Sequence, residues 1–183
     1  MHPEGLYYID NYLSQQEIAT VANLLKESNK WNGVTTNKSS RRVIHYGYEY
    51  AYNRTGITKT DDIPENLQLL DASKINKLCN KEIITEDFNQ LIINEYQPGQ
   101  GIAAHIDHVK YFGPVIACVS IGDICIDFTK GYLKKPITIE SGSLYIMTGP
   151  ARYEWYHAIE KKLYDGDKKR ETRYSLTYRT VTL

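Results

Sequence analysis

The 183 residues carry 22 Lys plus Arg against 22 Asp plus Glu, so no global field exists to draw in a polyanion, and any nucleic-acid contact would have to be local. A hydrophobic content of 42% with 24% charged residues suits one globular domain with a sizeable core and excludes a disordered chain. No apolar run reaches the ~20 residues of a membrane span, and three cysteines without CxxC spacing (Cys79, Cys118, Cys125) support neither a disulfide framework nor a thiolate zinc site.

The N-terminal Met1–Tyr8 has neither a basic nor an apolar signal region. Secretion is not expected, and the setting is read as intracellular, cytoplasmic or nuclear. Ser14 and Glu17 form a capping box, and Ile18, Val21, Ala22 and Leu25 then fall on one face, which predicts a helix over 14–29. Residues 42–52 are rich in strand formers. Their alternation predicts one strand with Tyr46, Tyr48, Tyr50 and Tyr52 on a single face. Residues 53–63 read as a loop. Pro64 suits the first turn of a second helix with Leu67 and Leu70 on one face and Leu78 further along.

From residue 91 the pattern changes to short β-like runs: Leu91–Tyr96, Pro114–Ile121, Ile124–Phe128, Pro136–Ile139, Ser143–Met147 and Tyr174–Val181. Gly, Pro and Asp separate them, as in a barrel or jelly roll. The fold class is α+β within one domain over 1–183. Residues of about 30–90 supply helices and a lid, and about 91–183 form the β-rich core. Tyr outnumbers Phe by 16 to 3, which suits half-buried sheets and also surfaces on which bases stack.

The chemistry-bearing residues lie in this second half. On an extended segment, His105 and Asp107 share a face, and a second imidazole such as His157 would complete two histidines and a carboxylate with open positions, the donor set of a non-haem iron site. His157 alone reads more readily as a core or turn residue, and His108 is a competing ligand aimed the other way. Arg173, Ser175, Thr177 and Arg179 alternate on one predicted strand face. Turned inward, two guanidiniums demand an anion, and a dicarboxylate such as 2-oxoglutarate fits both. Turned outward, the same pattern is a solvated edge. A zinc hydrolase would leave these arginines unexplained.

Taken together and in order, Gly47-Tyr48-x-Tyr50, Asn94-x-Tyr96, Pro98-Gly99, His105-x-Asp107, Gly142-Ser143, the Gly149–His157 segment and Arg173-x-Ser175-x-Thr177-x-Arg179 resemble the AlkB family of Fe(II)/2-oxoglutarate dioxygenases over roughly residues 40–183. The resemblance implies a double-stranded β-helix core with N-terminal helices and a β-rich nucleotide-recognition lid. It makes His105, Asp107 and His157 the Fe(II) ligands. Asn94, Tyr96, Arg173 and Arg179 would bind 2-oxoglutarate, assisted by Ser175 where many members have Asn, with O2 as the second cosubstrate.

Arg41–Tyr50, Pro98–Asp107 and Met147–Trp155 look like the branch that hydroxylates a modified wobble uridine in tRNA. Val109 stands where the bacterial repair enzyme has a base-reading aspartate. The expected function is therefore RNA hydroxylation, with tRNA the favoured nucleic acid. Oxidative demethylation of N-alkylated DNA or RNA bases, or hydroxylation of a protein or small molecule, are the alternatives. Tyr48 and Tyr50 are expected to stack a base. Arg41, Arg42 and the basic 161–170 segment are expected to contact phosphates. Animal members of the branch add an RNA-recognition module and a methyltransferase domain. Neither is legible here, so a monomer with a separate RNA-binding or methyltransferase partner is expected, and no membrane partner.

Overall fold

The computed structural model describes residues 1–37, 39–51 and 56–182. In chain order the elements are β1 (Leu6–Ile9), α1 (Gln15–Glu27), β2 (Asn32–Gly33), β3 (Arg42–Tyr46), β4 (Tyr48–Ala51), β5 (Gly56–Lys59), α2 (Ala72–Leu78), β6 (Gln90–Tyr96), β7 (Ile102–His105), β8 (Ile116–Ile121), β9 (Ile124–Lys130), β10 (Leu133–Ile139), β11 (Leu144–Met147), α3 (Gly149–Tyr153), β12 (Tyr156–Ile159), β13 (Tyr164–Asp165), β14 (Lys168–Lys169) and β15 (Arg173–Arg179). A seven-stranded sheet, ordered β1-β11-β8-β15-β6-β3-β2, faces a four-stranded sheet, β10-β9-β12-β7. This is the jelly-roll, double-stranded β-helix architecture with few helices that the sequence implied.

Alternation along the large sheet sorts its side chains into two environments. Ala117, Val119, Leu91, Ile93, Leu176 and Tyr178 point to the helix side and pack with Val21, Leu25, Leu67 and Ile75. Ile116, Cys118, Tyr96, Tyr145 and Met147 point between the sheets, against Ile126, Phe128 and Ile139. Burial of either face removes the usual polar-out signal, which is why β6 and β8 read as continuous apolar runs.

The N-terminal helix forms as expected. Ser14 Oγ accepts from the Glu17 amide at 3.2 Å, the Ser14 amide donates to Glu17 Oε2 at 2.7 Å, and Val21 and Leu25 are buried. Three other expectations change. The second helix is broken: Glu65–Leu67 is one 3-10 turn, and Asp71 caps the separate α2. Ile75 then faces the core, and Leu78 is left 56% exposed. The division near residue 91 is not architectural either, because β1 pairs with β11 and β3 pairs with β6 inside the large sheet.

The predicted strand over 42–52 is two strands in two sheets. Gly47 has φ +75°, and a Cβ there would lie 1.9 Å from the Asn89 carbonyl oxygen. Only glycine allows the chain to leave the large sheet at this point. Tyr46 stays in the core, while β4 pairs with β5 as a separate two-stranded lid. Residues 56–59, expected as loop, are therefore strand. Tyr52 lies outside the described residues.

Candidate active site

Strand register brings the proposed metal ligands together. His157 on β12 is the direct cross-strand partner of His105 on β7, and their ring centroids are 4.3 Å apart. Asp107 comes from the coil just past β7. Its Oδ1 lies 3.5 Å from His105 Nε2 and 3.4 Å from His157 Nε2, so three donor atoms converge on one point. His105 Nδ1 lies 2.8 Å from the Ala103 carbonyl oxygen. A carbonyl only accepts, so Nδ1 carries the proton and Nε2 keeps a lone pair for a metal. His157 Nδ1 is buried without a hydrogen-bond partner among the described residues.

The electrostatics suit a divalent cation. Burial would raise the Asp107 carboxyl, but the Arg179 guanidinium, with Nε 3.0 Å from Oδ2, and the two imidazoles beside it outweigh it and hold Asp107 well below the usual carboxylate range. Burial pushes His157 down despite Asp107 beside it, which keeps the imidazole neutral as a ligand. Two imidazoles and one carboxylate, all on one side with the cavity opposite, fit Fe(II) with open coordination positions. His108 is not part of this set: its Nδ1 accepts from the Lys110 amide, and its ring packs on Tyr111.

The cosubstrate residues converge through the β6–β15 pairing. Arg173 stands opposite Tyr96, Ser175 opposite Asn94, and Thr177 opposite Ile92. Cross-strand partners share a face, so Asn94, Tyr96, Arg173, Ser175, Thr177 and Arg179 all line one cavity of about 430 Å³ that also holds the metal triad. The solvated-edge alternative for the arginines is thereby removed. Arg173 is 1% exposed. Its Nε donates to Ser120 Oγ at 2.8 Å, and its Nη2 is buried with no partner among the described residues. An orphaned buried guanidinium nitrogen is costly alone, and the carboxylate of a dicarboxylic acid is the ligand that would satisfy it.

Placement of the substrate residues differs from expectation. Arg41 enters the cavity, its Nε donating to Asn94 Oδ1 at 2.9 Å. Arg42 turns to the opposite face, where it makes a bidentate pair with Glu95 at 2.8 Å and lies over the Trp31 ring. Neighbouring residues on a strand must part in this way, so Arg42 is not placed for a substrate phosphate. Tyr50 lines the cavity beside His108 and Phe112, whereas Tyr48 lies outside the lining. In the 161–170 segment, buried Arg170 is bound to Asp165 through two hydrogen bonds, and Lys168 pairs with Asp123, so much of that basic charge is spent internally.

Two residues that hold members of this site escaped sequence reasoning. Ser120 sits opposite Ser175 on β8 and holds Arg173. Its alternation with Cys118 and Ile116 was the available signal. Arg152 is buried beneath the Asp107 loop and carried no periodic signal at all.

The sequence model of the 2OG-Fe(II) oxygenase superfamily matches residues 5–179. A Xenopus tropicalis protein named tRNA (carboxymethyluridine(34)-5-O)-methyltransferase alkbh8 is 32% identical over 98% of this chain, which spans 32% of that protein's length. An uncharacterized protein of Acanthamoeba polyphaga mimivirus is 36% identical over 86% of this chain and 77% of its own. Among solved structures, OsALKBH1 superposes with a TM-score of 0.76 at 15% identity, covering 98% of both chains, a likeness of fold.

Proposed function

The chain belongs to the 2OG-Fe(II) oxygenase superfamily as an AlkB-like dioxygenase that uses Fe(II), 2-oxoglutarate and O2, and from that premise we propose that it hydroxylates a modified nucleoside in RNA, with the side chain of a tRNA wobble uridine as substrate. The observation that carries this reading is the rim of the cavity. Tyr50 lies 6.1 Å from His108, 6.1 Å from Tyr111 and 6.0 Å from Phe112, ring centroid to ring centroid, next to the metal triad. Flat aromatic surfaces beside a reactive centre suit an unstacked base. The name of the Xenopus relative supports the choice of tRNA, and Arg41 offers a guanidinium at the same cavity for an anionic group of the substrate.

When bound, the iron and 2-oxoglutarate together supply O2-dependent oxidation of a C–H bond, coupled to conversion of the cosubstrate to succinate and CO2. The chain's own residues set this up. His105, Asp107 and His157 would hold the ion on one side. Arg173, steadied by Ser120, would grip the far carboxylate of 2-oxoglutarate, with Asn94, Tyr96 and Ser175 positioned along the same face. Arg179 keeps Asp107 ionised. Ile126, Met147 and Ile159 form an apolar wall that limits water.

Hydroxylase and demethylase share every one of these residues. If the oxidised carbon is bonded to nitrogen, the product loses formaldehyde; otherwise the alcohol remains. Val109, 61% exposed, presents no acid to a base, which favours hydroxylation over alkylation repair. A separate RNA-binding or methyltransferase partner and a monomeric state belong to the same proposal. The test is incubation with Fe(II), 2-oxoglutarate and total tRNA, followed by mass spectrometry of the nucleosides. A gain of one oxygen is expected. Loss of a methyl group would replace the reading with demethylation, and succinate formed with no change in any nucleoside would overturn it.

A further inference from the structure

The loop that carries Asp107 is held from below by a single buried side chain. Arg152, on α3, is 2% exposed and forms no ion pair with a carboxylate among the described residues. Its guanidinium spends its hydrogens on backbone instead. Nη1 donates to the Asp107 carbonyl at 2.8 Å, Nη2 to the Phe112 carbonyl at 3.1 Å and the His108 carbonyl at 3.4 Å, and Nε to the Gly113 carbonyl at 3.1 Å. Four acceptors spread over residues 107–113 are thus tied to one rigid fork. Apart from the Asp107 carboxylate's own pair with Arg179 and the Tyr50 ring on His108, the loop's ties to the C-terminal segment lie towards its far end: Gly113 to Thr180, Thr182 to Tyr111, and the bridge from Phe112 to Val181.

The position of Arg152 in the chain makes this more than a loop anchor. It precedes His157 by five residues, on the segment that runs from α3 into β12. One stretch of backbone therefore supplies a metal ligand directly and grips the loop that supplies another. The gripped loop also presents His108 and Phe112 to the cavity, with the Tyr111 ring packed on His108.

We infer that Arg152 is a positioning residue that sets the Asp107 carboxylate against His157 and holds the aromatic rim in the same frame, so that metal affinity and substrate surface depend on one guanidinium. The inference rests on the iron-site assignment above. A purely structural role would predict something different. If only stability were at stake, loss of Arg152 would leave the four carbonyls unsatisfied and weaken the fold, and metal affinity would follow fold stability wherever the fold was weakened.

The test uses the full chain, stripped of metal and titrated with Co(II), whose visible absorption reports both affinity and ligand geometry. Arg152→Met and Arg152→Lys are compared with Leu144→Ala, a cavity-making change on the helix side of the large sheet, remote from the loop. Thermal melting of each apo protein is measured in parallel. Arg152→Met is expected to weaken Co(II) binding by about 10- to 100-fold, the usual effect of losing a residue that orients a metal ligand, and to alter the absorption band. Arg152→Lys, which keeps the charge and reaches fewer carbonyls, should recover part of the affinity. Leu144→Ala should melt early yet bind Co(II) as the parent does.

Arg152 variants that bind Co(II) no more weakly than Leu144→Ala would overturn the inference while leaving the iron site standing. If Arg152→Met does not fold, Arg152→Lys measured against Leu144→Ala decides the question in the same way. An Asp107→Ala variant that binds Co(II) like the parent would overturn the iron site, and this inference with it.

Discussion

The floor of the cavity and its lid are built on opposite terms. The floor is the β6–β15 pair, central in a seven-stranded sheet and locked by neighbours on both sides, with β3 beyond β6 and β8 beyond β15. The lid is two four-residue strands, β4 and β5, which among the described residues pair only with each other. A two-stranded ribbon has little stability of its own. This one is set in place by the Gly47 turn, the Gln90 side chain on the Tyr48 carbonyl at 3.2 Å, and the ring contacts of Tyr50. The floor can hold charged groups at fixed separations. The lid supplies surface. On the proposed assignment, the grip on the cosubstrate therefore belongs to the floor, opposite the metal ligands of β7 and β12, and choice of substrate to the lid and rim.

Substitutions can break or sharpen this contrast. The largest effect is expected at the metal: Asp107→Ala should abolish succinate formation, with or without RNA, because both imidazoles and Arg179 lose their shared anion. Next, Arg173→Met should raise the KM for 2-oxoglutarate about 100-fold, the loss of a charge-assisted grip, while the melting temperature holds, since a buried unpaired nitrogen is removed with it. Tyr50→Ala on the lid should raise the KM for tRNA about 10-fold, the value of one lost stacking surface, and leave RNA-independent 2-oxoglutarate turnover within about twofold of the parent by the same scale. If cosubstrate turnover fell equally, floor and lid would not be separable.

A smaller effect separates the two faces of the sheet. Ser120→Ala should raise the 2-oxoglutarate KM about fivefold by freeing Arg173 from its one hydrogen-bonded side chain. Smallest for catalysis is Arg42→Ala. RNA kinetics should be unchanged, while denaturant melts show lower stability because Glu95, 6% exposed, is left buried without its cation. Arg41→Ala, one residue away, should instead change the KM for RNA.

The same contrast explains what could be read in the sequence. Arg173, Ser175, Thr177 and Arg179 announce their shared face because period two is a local rule, but whether that face turned inward or to solvent stayed open until the β6–β15 pairing set it into the cavity. His105 and Asp107 were legible for the same reason, although β7 ends at His105 and the carboxylate is delivered from coil. The lid was misread because residues 42–52 keep the alternation straight through the break, and only Gly47 marks it. Strand β1 and Arg152 were illegible for a different reason. Their partners lie far along the chain, Tyr8 opposite Tyr145 and Arg152 holding carbonyls 39 to 45 residues earlier, and no local pattern encodes such distances.

The register that sets Arg173 against Tyr96 and Ser175 against Asn94 also limits how such a site can be altered. A deletion of one residue in β15 would swing Tyr174 and Leu176 into the cavity and drive a guanidinium into the apolar layer under the helices, so insertions and deletions here are closed as routes of variation. Point changes that keep the face are open. Ser175 and Thr177 are small hydroxyl residues on the cavity side of β15, and swapping their bulk would retune the length of keto acid admitted without touching the metal. A designer seeking an enzyme that answers to a synthetic cosubstrate, silent towards the cell's own, would begin with those two positions.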